Sequence, residues 1–156
     1  MKVAFIGHRK IDKSDMLKDK LTETITDSII NKNADTFLFG SRSEFNDLCY
    51  EVVTRLKAKY PYICRVFVRA EYEYINNRYA DYLQKFYEET FFAEQVHGAG
   101  ILSYIKRNQV MIDNCDILVA YFDAQYKPSK TKSGTKIAVE YAQKKGKYVL
   151  NLFEKK

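Results

Sequence analysis

The order of elements predicts an α/β fold, a Rossmann-like three-layer sandwich around a mainly parallel five-stranded sheet ordered 3-2-1-4-5. Three observations carry that expectation. Short β-branched and aromatic runs alternate with longer segments of helical period, the signature of a parallel sheet covered on both faces. Glycines close the first two of those runs, at Gly7 and Gly40. The 156 residues, 46% hydrophobic and 29% charged, fit one folded domain over residues 1–156 and exclude a disordered chain.

Residues 2–6 (KVAFI) read as a buried strand. Ser14 caps a helix in which Leu17, Leu21, Ile25 and Ile29 recur every four residues. Residues 36–39 form the second strand, and Ser43 opens a helix whose apolar positions 45, 48, 49, 52, 53 and 56 lie on one face until Pro61 closes it. Residues 63–68 form the third strand. Residues 71–96 are tyrosine-rich and acidic and give only a helix around 77–88, with rings that pack, meet a second subunit or stack on an adenine. After Gly98 and Gly100 a helix covers 102–114, residues 116–122 (DILVAYF) form the fourth strand, 134–145 a helix stopped by Gly146, and 147–153 the fifth strand. Right-handed crossovers leave few arrangements of such a chain.

Composition narrows the partners. The longest apolar run, residues 117–122, is far short of the ~20 residues a membrane helix needs. No secretory signal opens the chain, which predicts a cytoplasmic protein with no membrane partner. Cys49, Cys64 and Cys115 share no CxxC spacing, and His8 and His97 are the only histidines, so buried thiols are expected and no metal site. Of the net charge of +6, all lies in residues 101–156, with 11 Lys/Arg against 5 acids, while residues 1–100 balance. An anionic partner there, or a solvated basic surface, accounts for the excess.

In an open parallel sheet, ligands bind beyond the carboxyl ends of the strands where the winding reverses, here between the first and fourth strands. Three polar segments meet at that edge. Gly7, His8 and Arg9 follow the first strand; Gly40, Ser41, Arg42 and Ser43 follow the second; Asp123 through Thr135 follow the fourth. Ser133-Gly134-Thr135 opens a helix, where glycine admits a ligand to the backbone and first-turn N–H groups bind an anion, helped by Lys132 or Lys136. The same residues are also a good helix start. Arg9 suits bidentate contact with phosphate or carboxylate, and His8 could meet a ribose or act as acid and base. The expectation is that the helix starts at Arg42 and Thr135 converge on one pocket. No GxGxxG or GxxxxGK[ST] loop is present, so ordinary dinucleotide dehydrogenases and P-loop NTPases are poor candidates, and no cofactor is expected.

Taken together, GHRK at 7–10, FGSRSEFNDLCYEVV at 39–53, YPYICRVFVRAEY at 60–72, YIKRNQVMIDNCDILVAYFD at 104–123 and SGTKIAVEYAQKKGK at 133–147 resemble the small stand-alone branch of the SLOG superfamily, Rossmann-like proteins of nucleotide ligands. The resemblance implies a ligand site on the glycine turns, taking in Asn46 as well, with Arg107 and Asn108 facing it, and a homo-oligomer. Related SLOG proteins include phosphoribohydrolases that release bases from nucleoside monophosphates, sensors of ADP-ribose-derived signals and DNA-processing proteins.

One departure matters. In the phosphoribohydrolases and the similar deoxyribosyltransferases a catalytic glutamate stands three residues after the Gly-Thr threonine, and here that position is Ala138. Glu140 falls about 200° further around the helix and faces elsewhere. Asp123, Glu71 or Glu44 would have to replace it. The sequence therefore favours a binding protein for a nucleotide-derived signal, such as ADP-ribose or a cyclic nucleotide, over a nucleotide N-glycosidase. A DNA-associated protein comes third: Glu88, Glu89 and Glu94 oppose a DNA-binding face, and no nucleic-acid-reading element is present.

Overall fold

The computed structural model describes residues 1–70, 77–126 and 133–155. Six parallel strands form one sheet in the order β4-β3-β2-β1-β5-β6. They are β1 (Lys2–Gly7), β2 (Thr36–Phe39), β3 (Cys64–Arg69), β4 (Glu89–Phe92), β5 (Ile117–Tyr121) and β6 (Tyr148–Asn151). Among the described residues five α-helices connect them: α1 (Asp15–Lys32), α2 (Glu44–Lys59), α3 (Asn77–Gln84), α4 (Ser103–Asp113) and α5 (Gly134–Lys144).

The class and the central strand order match the expectation, with one correction. The sheet has a sixth strand, β4, added outside β3 at the edge, where Phe67 pairs Thr90 and Arg69 pairs Phe92. Its four residues are each exposed or half-buried, so they lack the continuous apolar run of β5, whose five residues are all buried. An edge strand carries that weak signal because only one side has a neighbour.

Alternation along the strands divides the core in two. Phe5, Phe37, Phe39 and Val119 point to the face covered by α1 and α2, against Leu21, Ile25, Phe45 and Val52. Ala4, Leu38, Val68, Leu118 and Ala120 point to the opposite face, against Val110 and Met111 of α4 and Ala138, Val139 and Ala142 of α5. The helix after β1 thus lies on one face and the helix after β5 on the other, while β1 and β5 pair directly, Gly7 beside Tyr121. Winding reverses between these two strands, and their carboxyl ends form the crevice.

Capping follows the residue types. Ser14 Oγ accepts from Leu17 N–H at 3.1 Å, Ser43 Oγ from Asn46 N–H at 3.0 Å and Ser133 Oγ from Lys136 N–H at 3.3 Å, three side-chain caps on α1, α2 and α5. Cys49 and Cys115 are buried and Cys64 is half-buried; all three are free. Among the described residues no helix is long and apolar enough to cross a membrane.

Candidate functional site

The turn after β1 is packed from below and pinned from the side. Gly7 has no room for a side chain, since a Cβ there would lie 2.7 Å from Phe45 Cβ. His8 is buried at 4% exposure, and its Nε2 accepts the Asp123 backbone N–H at 2.8 Å. Accepting through Nε2 requires the neutral ring. Burial lowers its pKa below 6.5, and the Asp123 charge opposes that shift without cancelling it. The Tyr126 ring lies over the imidazole at 4.5 Å between centroids, and Tyr121 and Phe122 sit near 6 Å. Arg9 is exposed; its carbonyl accepts the Glu44 N–H at 2.8 Å, joining this turn to the start of α2.

The turn after β2 is held by side chains from both faces. A Cβ on Gly40 would lie 2.6 Å from Arg107 Cδ and Met111 Sδ of α4. Buried Arg107 donates Nη1 to the Gly40 carbonyl and Nε to Asn108 Oδ1, the latter at 2.9 Å. From the α2 side, buried Asn46 accepts the Gly40 N–H at 3.5 Å. Ser41 and Ser43 hydroxyls share a hydrogen bond of 2.9 Å, while Arg42 points out exposed.

After β5, Asn151 clamps the chain: its Oδ1 accepts the Phe122 N–H at 3.0 Å and its Nδ2 donates to the Phe122 carbonyl at 2.9 Å. Asp123 Oδ1 accepts the Gln125 N–H at 2.9 Å. At the start of α5, Ser133 and Thr135 are buried, Gly134 is exposed, and a Cβ on Gly134 would meet none of the described residues within 4 Å. The Lys136 and Ile137 amides are satisfied by Ser133 Oγ and its carbonyl. Gly134 and Thr135 supply the remaining donors of the first turn.

The structure therefore brings Gly7, His8, Arg9 and Asp123 together at the crevice and joins Gly40, Asn46, Arg107 and Asn108 in one hydrogen-bonded cluster: Arg107 on the Gly40 carbonyl, Asn46 on its amide, and Asn108 on Arg107. The expectation of a single pocket at Arg42 and Thr135 needs correction. Both turns lie on the same rim, but α2 and α5 cover opposite faces. The cleft lined by Ser41 and Arg42 takes in the α3 region and none of Ser133, Gly134 or Thr135. A ligand that touches both must straddle the edge of the sheet.

Among the proposed carboxylates, Glu44 Oε2 accepts the Ile11 N–H at 2.8 Å, a structural bond, and Glu71 lies outside the described residues, as does the basic Lys132. Ala138 is buried against the sheet, and Glu140 is exposed and paired to Lys136 at 4.0 Å, away from the rim. Sequence reasoning missed the Asn151 clamp and the Tyr126 cover. An asparagine that ends a strand beside a neighbouring strand's exit is a signal for the first; a lone tyrosine in a polar loop gave none for the second.

Doubly wound topology, a reversal between β1 and β5, and glycine turns at the strand ends define a Rossmann-like protein with its candidate site on the carboxyl rim. The family model of the YspA SLOG family (YpsA) matches residues 5–155, nearly the whole chain. The chain belongs to that SLOG family. No curated protein matches it.

Proposed function

We propose that this protein binds a nucleotide-derived small molecule at the β1–β5 rim and holds it without turning it over, as a sensor or sequestering protein. The carrying observation is the start of α5: first-turn amides at an open glycine, beside the strand pair where the winding reverses. Such a turn receives a phosphoryl group through N–H bonds and the helix dipole, the latter worth about 0.3–1 kcal/mol. Membership of the SLOG family supports a nucleotide ligand in general.

The described carboxylates support a reading without turnover. Base release needs a carboxylate at the anomeric carbon, and Ala138 offers a buried methyl group. Asp123 and Glu44 are engaged by backbone N–H groups. Unpaired thiols fit a reducing compartment, and we place the protein in the cytoplasm. Self-association belongs to the same reading and is checked by sedimentation.

A thermal-shift screen of nucleotides with mass spectrometry of the recovered ligand tests the proposal. Stabilisation with the ligand recovered intact is expected, reaching about 2.7 kcal/mol at a hundredfold excess over Kd. No response to any nucleotide, or a released base, overturns it.

A further inference from the structure

On the α2 side of the rim, beyond β2 and β3, lies a cleft of about 530 Å³, a volume suited to a small ligand. Its walls are aromatic. Tyr87 stands 5.0 Å from Tyr50 and 5.2 Å from Phe67, and these three rings form the inner wall. The Tyr50 hydroxyl donates to the Phe86 carbonyl at 2.6 Å, fastening the chain after α3 to α2. At the outer lip the Tyr82 and Phe86 rings pair at 5.1 Å while remaining 54% and 43% exposed. Large rings left open beside a largely half-buried aromatic wall suit a flat partner that stacks.

The polar lining of the cleft has two charges of opposite sign, Arg42 before the Ser43 cap and Asp47 in the first turn of α2. Asp47 disfavours a phosphate inside the cleft, so the cleft suits the base rather than the phosphoryl group. A guanidinium pairs with two adjacent acceptors, which guanine offers as O6 and N7. A carboxylate pairs with two adjacent donors, which guanine offers as N1–H and N2–H. Adenine alternates donors and acceptors along its edges and satisfies neither charge in a bidentate way. Arg69, two residues beyond Phe67 and on the same face of β3, has a buried Nε with no hydrogen-bond partner among the described residues, a further donor beside this end of the rim.

We infer that this cleft takes a guanine base in preference to adenine. The inference rests on the proposed function, in which the phosphoryl group sits at the start of α5. It narrows the ligand away from adenine-bearing signals such as ADP-ribose.

Isothermal titration of the full chain with GMP, AMP and ribose 5-phosphate tests it. GMP binds at least about tenfold more tightly than AMP, the discrimination expected of one bidentate base contact. Asp47→Asn reduces the GMP-to-AMP ratio toward one, and because Asp47 is exposed its melting temperature matches the parent's. Tyr82→Ala weakens both purines and preserves their ratio. Equal affinities for GMP and AMP, or a ratio that survives Asp47→Asn, overturn the guanine assignment and leave the rim site standing. Failure of all three compounds to bind overturns the proposed function itself.

Discussion

The turns that open α2 and α5 resemble each other in sequence, Gly40-Ser41-Arg42-Ser43 and Ser133-Gly134-Thr135, and are built in opposite ways. Around Gly40 the glycine's own peptide groups and both serine hydroxyls have protein partners: Arg107 takes the carbonyl, Asn46 the amide, and the two hydroxyls take each other. Its glycine is required because Arg107 and Met111 fill the space a side chain would occupy. Around Gly134 none of the described residues lies within 4 Å of a Cβ, and its backbone φ demands no glycine. A glycine beside crowded atoms reports packing; a glycine facing open space at a helix start leaves room for a ligand to approach the amides. The two readings separate by substitution.

The largest effect is expected where crowding is greatest. Gly7→Ala drives a methyl group into the Phe45 ring, which is buried and cannot retreat, and costs about 2–3 kcal/mol in urea unfolding. Gly40→Ala meets the ends of flexible side chains instead, so about 1–2 kcal/mol is expected, with loss of the Arg107–Gly40 bond. Equal costs at the two positions would break the distinction between rigid and yielding neighbours.

Next comes the histidine that joins β1 to the β5 exit. The folded protein holds His8 neutral, so the unfolded chain binds a proton the folded one refuses, and stability falls as pH drops below 6.5. His8→Gln retains an acceptor and lacks the titration, so its unfolding midpoint between pH 7.5 and 5.5 changes less than the parent's. A steeper loss in the variant would contradict the assignment of Nε2 as acceptor.

The smallest stability effect belongs to Gly134→Ala, within about 0.5 kcal/mol of the parent. Gly134→Asp should fold equally well and lose phosphate-dependent binding, because its carboxylate competes with an anion at the same amides. A loss of several kcal/mol in Gly134→Ala would mean that this glycine, too, serves packing.

Much of this arrangement was legible in the chain. The period-four row of Leu17, Leu21, Ile25 and Ile29, the serine caps and the apolar run of β5 are local signals, and local signals survive tertiary context. The reversal between β1 and β5 followed from element order and handedness alone. What escaped is what depends on partners distant in sequence. β4 exists because β3 offers it a ladder, and its own burial alternates too weakly to announce a strand. Arg107 and Asn46 read as ligand-facing residues, yet they satisfy Gly40, a relation visible only once α4 and α2 lie on opposite faces of β2. The sharing of one pocket by two helix starts failed for the same reason: spacing tells that both reach the rim, and only packing tells from which face.

Amide nitrogens at the rim can be observed one by one. In 15N–1H correlation spectra of the uniformly labelled chain titrated with ribose 5-phosphate, saturable shifts at the Gly134 and Thr135 amides, accompanied by His8 and Arg9, are predicted. Those amides staying in place while the compound binds elsewhere, or under saturating concentrations, would contradict the account.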